Sequence, residues 1–142
     1  MKTIKNGTIH NFKCYDREGN LVWREDNVHN LVVTTGLNNM LDEFLSGSSY
    51  TAAFYVGLKS TGTAVLADTM ASHASWTELT IYSEGTREAL TFGAAAAGVA
   101  AGVTVSFSIN GSGTIGGTFI TTDGTKAATA GTVAGVGLDI AL

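Results

Sequence analysis

Asn110 to Gly124 reads NGSGTIGGTFITTDG, and Gly111, Gly113 and Gly116 stand in it as G-x-G-x-x-G. That spacing binds dinucleotides when a strand precedes it, a helix succeeds it and an acid lies about 20 residues further on. A strand pattern does precede it. The next residues, TFITTDGT, are β-branched and are stopped by Asp123 and Gly124. Without a helix N-terminus there is no dipole and no row of free N–H groups to hold a pyrophosphate. Asp139 lies at a plausible distance, but inside an alternating strand pattern. The stretch is therefore expected to be a hairpin: strand, tight turn at NGSG, return strand. In that reading Gly111 and Gly113 take positive φ. Gly116 and Gly117 leave a strand face bare for another backbone to approach.

The other chemistry-bearing residues are dispersed. His10, His29 and His73 show no H-x-H or H-x₃-H spacing, and a metal site needs at least three converging ligands. They read as one strand residue, His10, and two loop residues. The acids Asp16, Glu18, Glu25, Asp26, Asp42, Glu43, Asp68, Glu78, Glu84, Glu88, Asp123 and Asp139 single out no pair for glycoside hydrolysis. No serine sits in a G-x-S-x-G elbow. Cys14, the only cysteine, lies in NFKCYD, a strand pattern, and reads as a small buried hydrophobe. No catalytic, cofactor-binding or metal-binding residue is assigned, and no enzymatic activity is expected. The aromatics Trp23, Tyr50, Tyr55, Trp76 and Tyr82 form a softer candidate, a stacking platform for sugars. The competing reading is that they fill the core.

The 142 residues fit one domain, 1–142, and carry 44% hydrophobic residues, 14% charged residues and a net charge of −4. Ordinary domains have about 25% charged residues. Such a chain hides much of its surface, in its own core or against copies of itself or a partner. Gripping phosphates requires clustered Lys and Arg, so direct nucleic-acid binding is not expected. MKTIKNGTIH lacks the apolar core of a signal peptide. GAAAAGVAAGV (residues 93–103) is too short and too rich in Gly and Ala to span a bilayer. The expectation is a soluble protein made in a reducing cytoplasm. The Ala/Gly run fits a strand, a loop or a contact surface equally well.

The elements emerge from periodicity. TIHNFKCYD places His10, Phe12 and Cys14 on one face, REGN (17–20) supplies a turn, and LVWRED returns. One helix is expected at about residues 36–46. Leu37, Met40, Leu41, Phe44 and Leu45 form its core-facing stripe, Thr34 or Thr35 its N-cap and Gly47 its end. Short strands come next at AAFYVGLKS, WTELTIY, REALTFG, VTVSFSIN, TIGGTFITT and VAGVGLDIAL. LADTMASHASW is irregular, with one short helical turn beginning at Asp68 or Thr69. VTVSFSIN is the clearest strand, with Val103, Val105, Phe107 and Ile109 facing one way. About eight strands, each burying one face, point to an all-β fold: an antiparallel β-sandwich of jelly-roll type with one inserted helix.

Taken together, NLVVTTGLNNMLDEFL, YVGL, DTMASHASWTEL, YSEGTREALTFG and VSFSINGSGTIGGTFITT resemble, in order and spacing, a group of small structural proteins of tailed bacteriophages. The resemblance spans roughly Asn30 to Thr122 and carries no catalytic motif. It implies a component of the virion, assembled in the host cytoplasm. A capsid decoration or cement protein that binds the major capsid protein lattice is the leading expectation. A tail, neck or fibre-attachment protein is the alternative, and a carbohydrate-binding adhesion module a further one. A homo-oligomer is expected, with no membrane partner. Residues 1–8 are either an arm that adds to a neighbour's sheet or ordinary first-strand residues.

Overall fold

Alternation organises the first strand pair. The computed structural model describes residues 7–46, 53–94, 96 and 100–137. In it β1 (Ile9–Tyr15) and β2 (Leu21–Leu31) pair antiparallel. The turn lies where REGN placed it. Gly19 takes φ 85°. The Asp16 carboxylate accepts the Asn20 N–H at 2.8 Å and the Asn20 side-chain amide at 3.0 Å. His10, Phe12 and Cys14 are half-buried, while Ile9, Asn11, Lys13 and Tyr15 are exposed.

The two strands advance unequally. His10 faces Val28 but Phe12 faces Glu25, so β2 spends one extra residue there, and it spends another between Trp23 and Leu21. Asn27, at φ 62°, absorbs the first bulge, and Asn11 Oδ1 accepts its N–H at 2.9 Å. Bulges bend the strand that carries them. Past this bend Asn30 and Leu31 pair with the last strand, while Asn30 N–H still donates to Thr8 carbonyl. His29, expected in a loop, therefore lies within β2.

The second sheet contains β3 (Phe54–Lys59), β4 (Glu78–Leu79), β5 (Glu88–Leu90), β6 (Gly117–Thr121) and β7 (Val133–Gly137). Its order is β2-β7-β6-β3-β4, and β5 shares with β4 one edge of β3. All described pairings are antiparallel. The fold is all-β and sandwich-like, with two antiparallel sheets and a single helix among the described residues. The described strand order does not establish jelly-roll connectivity.

β3 and β6 have strands on both edges and depart from one-sided burial. All five residues of β6 and Val56–Lys59 of β3 are buried. Gly57 makes this possible, because a Cβ there would overlap the Phe119 ring opposite it. Even Lys59 is buried, its ammonium donating to the carbonyls of Gly62 at 2.8 Å and Ser60 at 3.1 Å. The central core is Val33, Met70, Trp76, Phe119 and Val133.

Residues 103–109 correct the clearest strand expectation. They form no ladder with β6, because β3 and β7 occupy both of its edges. Ile109 instead bridges Tyr82, with Ser83 N–H donating to Ser108 carbonyl and Asn110 N–H to Ile81 carbonyl. NGSG is therefore not the turn of a two-stranded hairpin. The Asp68–Trp76 segment is likewise a set of turns, with Thr69 bridging Ser72, and contains no helical turn.

The helix α1 (Thr34–Ser46) starts two residues early, with Leu37 N–H donating to Val33 carbonyl. Thr35 thus lies inside the helix rather than at its cap, and its hydroxyl donates to Val133 carbonyl at 3.1 Å. The expected core stripe is also corrected. Gly36 is buried, but Met40 is 50% and Leu41 54% exposed. The helix packs against β7, and this part of its apolar stripe faces outward. The side chains of Phe44 and Leu45, the end at Gly47, Tyr50, residues 1–6 and the chain beyond Gly137 lie outside the described residues.

Candidate functional site

The G-x-G-x-x-G glycines do structural work in this fold. Neither Gly111 nor Gly113 has positive φ. Both lie against Ile81, and a Cβ on either would stand 3.1–3.2 Å from that side chain. Small size, not conformational freedom, is what these positions need. Gly116 does allow close backbone approach, since its Cβ would lie 2.5 Å from Thr61 Cα and 2.6 Å from Ser60 carbonyl oxygen. The element after them is β6, not a helix, so no N-terminal array faces these glycines.

The histidines are dispersed through the structure as well. His73 stacks on Trp76 with ring centroids 3.9 Å apart, and its Nδ1 lies 2.8 Å from Trp76 carbonyl. His10 stacks on Phe12, and its Nε2 lies 2.7 Å from the Thr8 hydroxyl. Burial holds the His10 pKa below its ordinary 6.5. A histidine that binds its proton less tightly when folded contributes stability above the unfolded pKa, and that stability is lost as pH falls through the folded pKa. An NMR titration is expected to place the His10 midpoint below 6.5, with the protection factors of hairpin amides falling as the pH drops past it. A midpoint at or above 6.5 contradicts the burial of the ring. No group of three or more His, Cys, Asp or Glu among the described residues is arranged to hold a metal ion.

Several acids are committed to structure. Asp68 is buried, and its Oδ2 accepts Trp76 Nε1–H at 2.9 Å and Val65 N–H at 3.0 Å. Glu84 accepts Ser108 N–H at 3.0 Å. Glu78 binds Arg87 through two bonds, from Nε to Oε1 at 2.9 Å and from the terminal Nη2 to Oε2 at 2.7 Å. The Arg87 side chain is fully buried and 5.2 Å above the Phe119 ring. It also donates to the carbonyls of Asp123 at 2.7 Å and Ala128 at 3.0 Å. This buried cation therefore ties the 123–128 loop to the β3–β4–β5 edge. Nothing in the sequence singles out Glu78 and Arg87. Two ordinary charges nine residues apart become partners only because β4 and β5 lie on one edge of β3.

The loop so held forms one wall of an open groove of about 660 Å³, lined by Tyr55, Thr86, Thr122, Asp123, Gly124, Thr125 and Gly131. Gly124 lies flat on the Tyr55 ring, where a Cβ would be 2.7 Å from the ring edge. Asp123 Oδ1 accepts Thr125 N–H at 2.8 Å, and the bonds from Thr125 keep this carboxyl below its usual range. The groove is thus lined by the hydroxyl-bearing Tyr55, Thr86, Thr122 and Thr125 and by one carboxylate, Asp123.

Of the described sugar-platform aromatics, only Tyr55 lines this groove. Trp76 and Tyr82 are 2% exposed. Trp76 packs on Phe119, and Tyr82 lies edge-on to Phe107 beneath Lys126 Nζ, 3.8 Å from its ring centre. Burial, reinforced by the charge of Glu78, pushes the Tyr82 hydroxyl up to about 12. Trp23 is half-buried beside Cys14 in the hairpin. The described four, Trp23, Tyr55, Trp76 and Tyr82, do not form the exposed row that stacking on sugars requires.

Apolar side chains also stand on the outer surface. Eleven large hydrophobic side chains are exposed among the described residues. They include Ile9, Tyr15, Leu21 and Val22 on the hairpin, Met40 and Leu41 on α1, and Val65 and Leu66 beside the helix start. Thr34 N–H donates to Leu66 carbonyl, which fixes Leu66 at the helix start. No helix among the described residues is long and apolar enough to cross a membrane. No protein-family model, curated protein or solved structure matches the chain.

Proposed function

We propose that this chain is a non-enzymatic structural protein of a bacteriophage virion, foremost a capsid decoration protein that binds the major capsid protein and stabilises the head. The observation that carries the reading is the exposed apolar surface on a chain with few charges. Contiguous exposed apolar area on a soluble protein marks an interaction surface. On a lattice, each copy needs only a modest patch, because neighbouring contacts add through avidity. The resemblance to small phage structural proteins supplies the kind of partner.

The test is to mix purified protein with capsids lacking it, sediment the particles and image them. The expected result is density repeated over the capsid lattice and a higher temperature of capsid disruption. Density confined to a ring or a few trimers at the neck identifies the tail, neck or fibre-attachment alternative. No particle association at all overturns both.

The groove favours a second reading, a glycan-binding adhesion module. Shallow polar grooves hold sugars through hydroxyl and carboxylate contacts, and Asp123 is the ionised group in this one. Asp123→Ala is expected to abolish glycan-array binding if the groove is used. Trp76→Ala is uninformative for this purpose, since Trp76 lies in the core.

A further inference from the structure

The β1–β2 hairpin is a two-stranded element, and such hairpins are marginally stable in water unless a third strand or a packed face supports them. Among the strands and the helix, β1 packs substantially only on β2. Its half-buried face nevertheless carries Phe12 and Cys14, with Trp23 across from Cys14. A face of that composition calls for more sheet.

The backbone says which edge is open. Thr8 carbonyl accepts Asn30 N–H at 3.1 Å, and Asp16 N–H donates to Asn20 carbonyl at 3.0 Å. Both are even-numbered, and both face β2. The extra residues of the two bulges are in β2, so β1 itself alternates without interruption. The N–H and C=O groups of Ile9, Asn11, Lys13 and Tyr15 therefore point away from β2. Among the described residues no strand pairs with that edge. The usual devices against edge pairing are proline, bulges and charge. β1 contains no proline, no bulged residue of its own and a single charge, Lys13.

We infer that β1 pairs antiparallel with β1 of a second copy of this chain, about a two-fold axis at Phe12. Only this register uses all seven residues. It sets Ile9 opposite Tyr15, both exposed in the single chain, and His10 opposite Cys14. Lys13 falls opposite Asn11, so no like charges meet. A register centred one residue further along would set Lys13 against Lys13, which is repulsive. The outward-facing residues then exchange hydrogen bonds. The two hairpins become one four-stranded sheet with a continuous face of Phe12, Cys14 and Trp23 from each copy. The interface is isologous, as a two-fold contact must be.

This inference deepens the reading of the chain as an assembly protein and rests on it, but it does not depend on which part of the particle is involved. Sedimentation of the purified chain is expected to show a concentration-dependent dimer. Lys13→Pro removes only an outward-facing N–H, so it should leave the intramolecular ladder in place. It is expected to raise the dimer dissociation constant by roughly tenfold or more. Phe12 and its symmetry mate form a non-hydrogen-bonded pair with Cα atoms about 4.5 Å apart, within disulfide reach. Phe12→Cys with Cys14→Ser should therefore yield a covalent dimer on mild oxidation, whereas the native Cys14, opposite His10, should not. A chain that is monomeric at every concentration overturns the inference. So does a dimer that Lys13→Pro leaves intact and Phe12→Cys fails to link. Capsid binding retained by a monomer removes this pairing and keeps the virion reading; a dimer without capsid binding does the reverse.

Discussion

Arg87→Ala is expected to destabilise the protein by about 3–5 kcal/mol, because it strands a buried carboxylate. The Arg87 side chain is fully buried, and that of Glu78 is 8% exposed. Glu78 would keep only Ala127 N–H, which donates to Oε2 at 2.9 Å. The carbonyls of Asp123 and Ala128 would lose their donor in the same change. Urea denaturation checks the magnitude. Arg87→Met combined with Glu78→Met should cost clearly less than the two single changes summed, since neither charge is then left unpaired. Additive losses would mean that the pair is not coupled. Hydrogen exchange in residues 123–128 should rise in Arg87→Ala, because the loop is held by that guanidinium.

Trp76→Ala is expected to cost a similar amount, about 3–5 kcal/mol, the range for truncating a buried large aromatic. Trp76 fills the space between His73 and Phe119 and donates to Asp68. Trp76→Phe separates packing from hydrogen bonding. It keeps an aromatic ring in the core but leaves the buried Asp68 carboxylate with Val65 N–H alone. That change should cost about 1–3 kcal/mol, the penalty for an under-satisfied buried polar group. Thermal denaturation followed by circular dichroism reads both variants against the unsubstituted chain, and in Trp23→Phe the fluorescence of Trp76 reports the intact core directly. A loss below about 1 kcal/mol for Trp76→Ala, near the ordinary mutational average, would show that this ring is not in the core.

The hairpin, the helix and the β-rich remainder are legible because each is written in local periodicity and turn chemistry. REGN turns, His10, Phe12 and Cys14 share a face, and α1 ends within the expected segment. Local pattern misleads where an edge or a second face is already taken. VTVSFSIN alternates as an ideal strand does, yet residues 103–109 form no strand ladder, because β6 has no free edge. Alternation in AAFYVGLKS predicts one buried face, yet β3 is covered on both, with Gly57 making room for Phe119. The helix stripe predicts a core-facing side, yet Met40 and Leu41 face outward.

The candidate groove is not legible in the sequence. Tyr55, Thr86, Asp123 and Gly131 lie far apart along the chain, and none is unusual for its type. The Arg87–Glu78 pair that holds its wall carries no motif either. By itself the sequence determined the class of the fold, the first hairpin, the helix and the failure of the glycine fingerprint, since all depend on neighbours in the chain. Only the tertiary structure decided which strands lie centrally, which charges are buried together and which apolar residues remain outside. Those depend on strand order, and strand order comes from long-range pairing that no local pattern encodes.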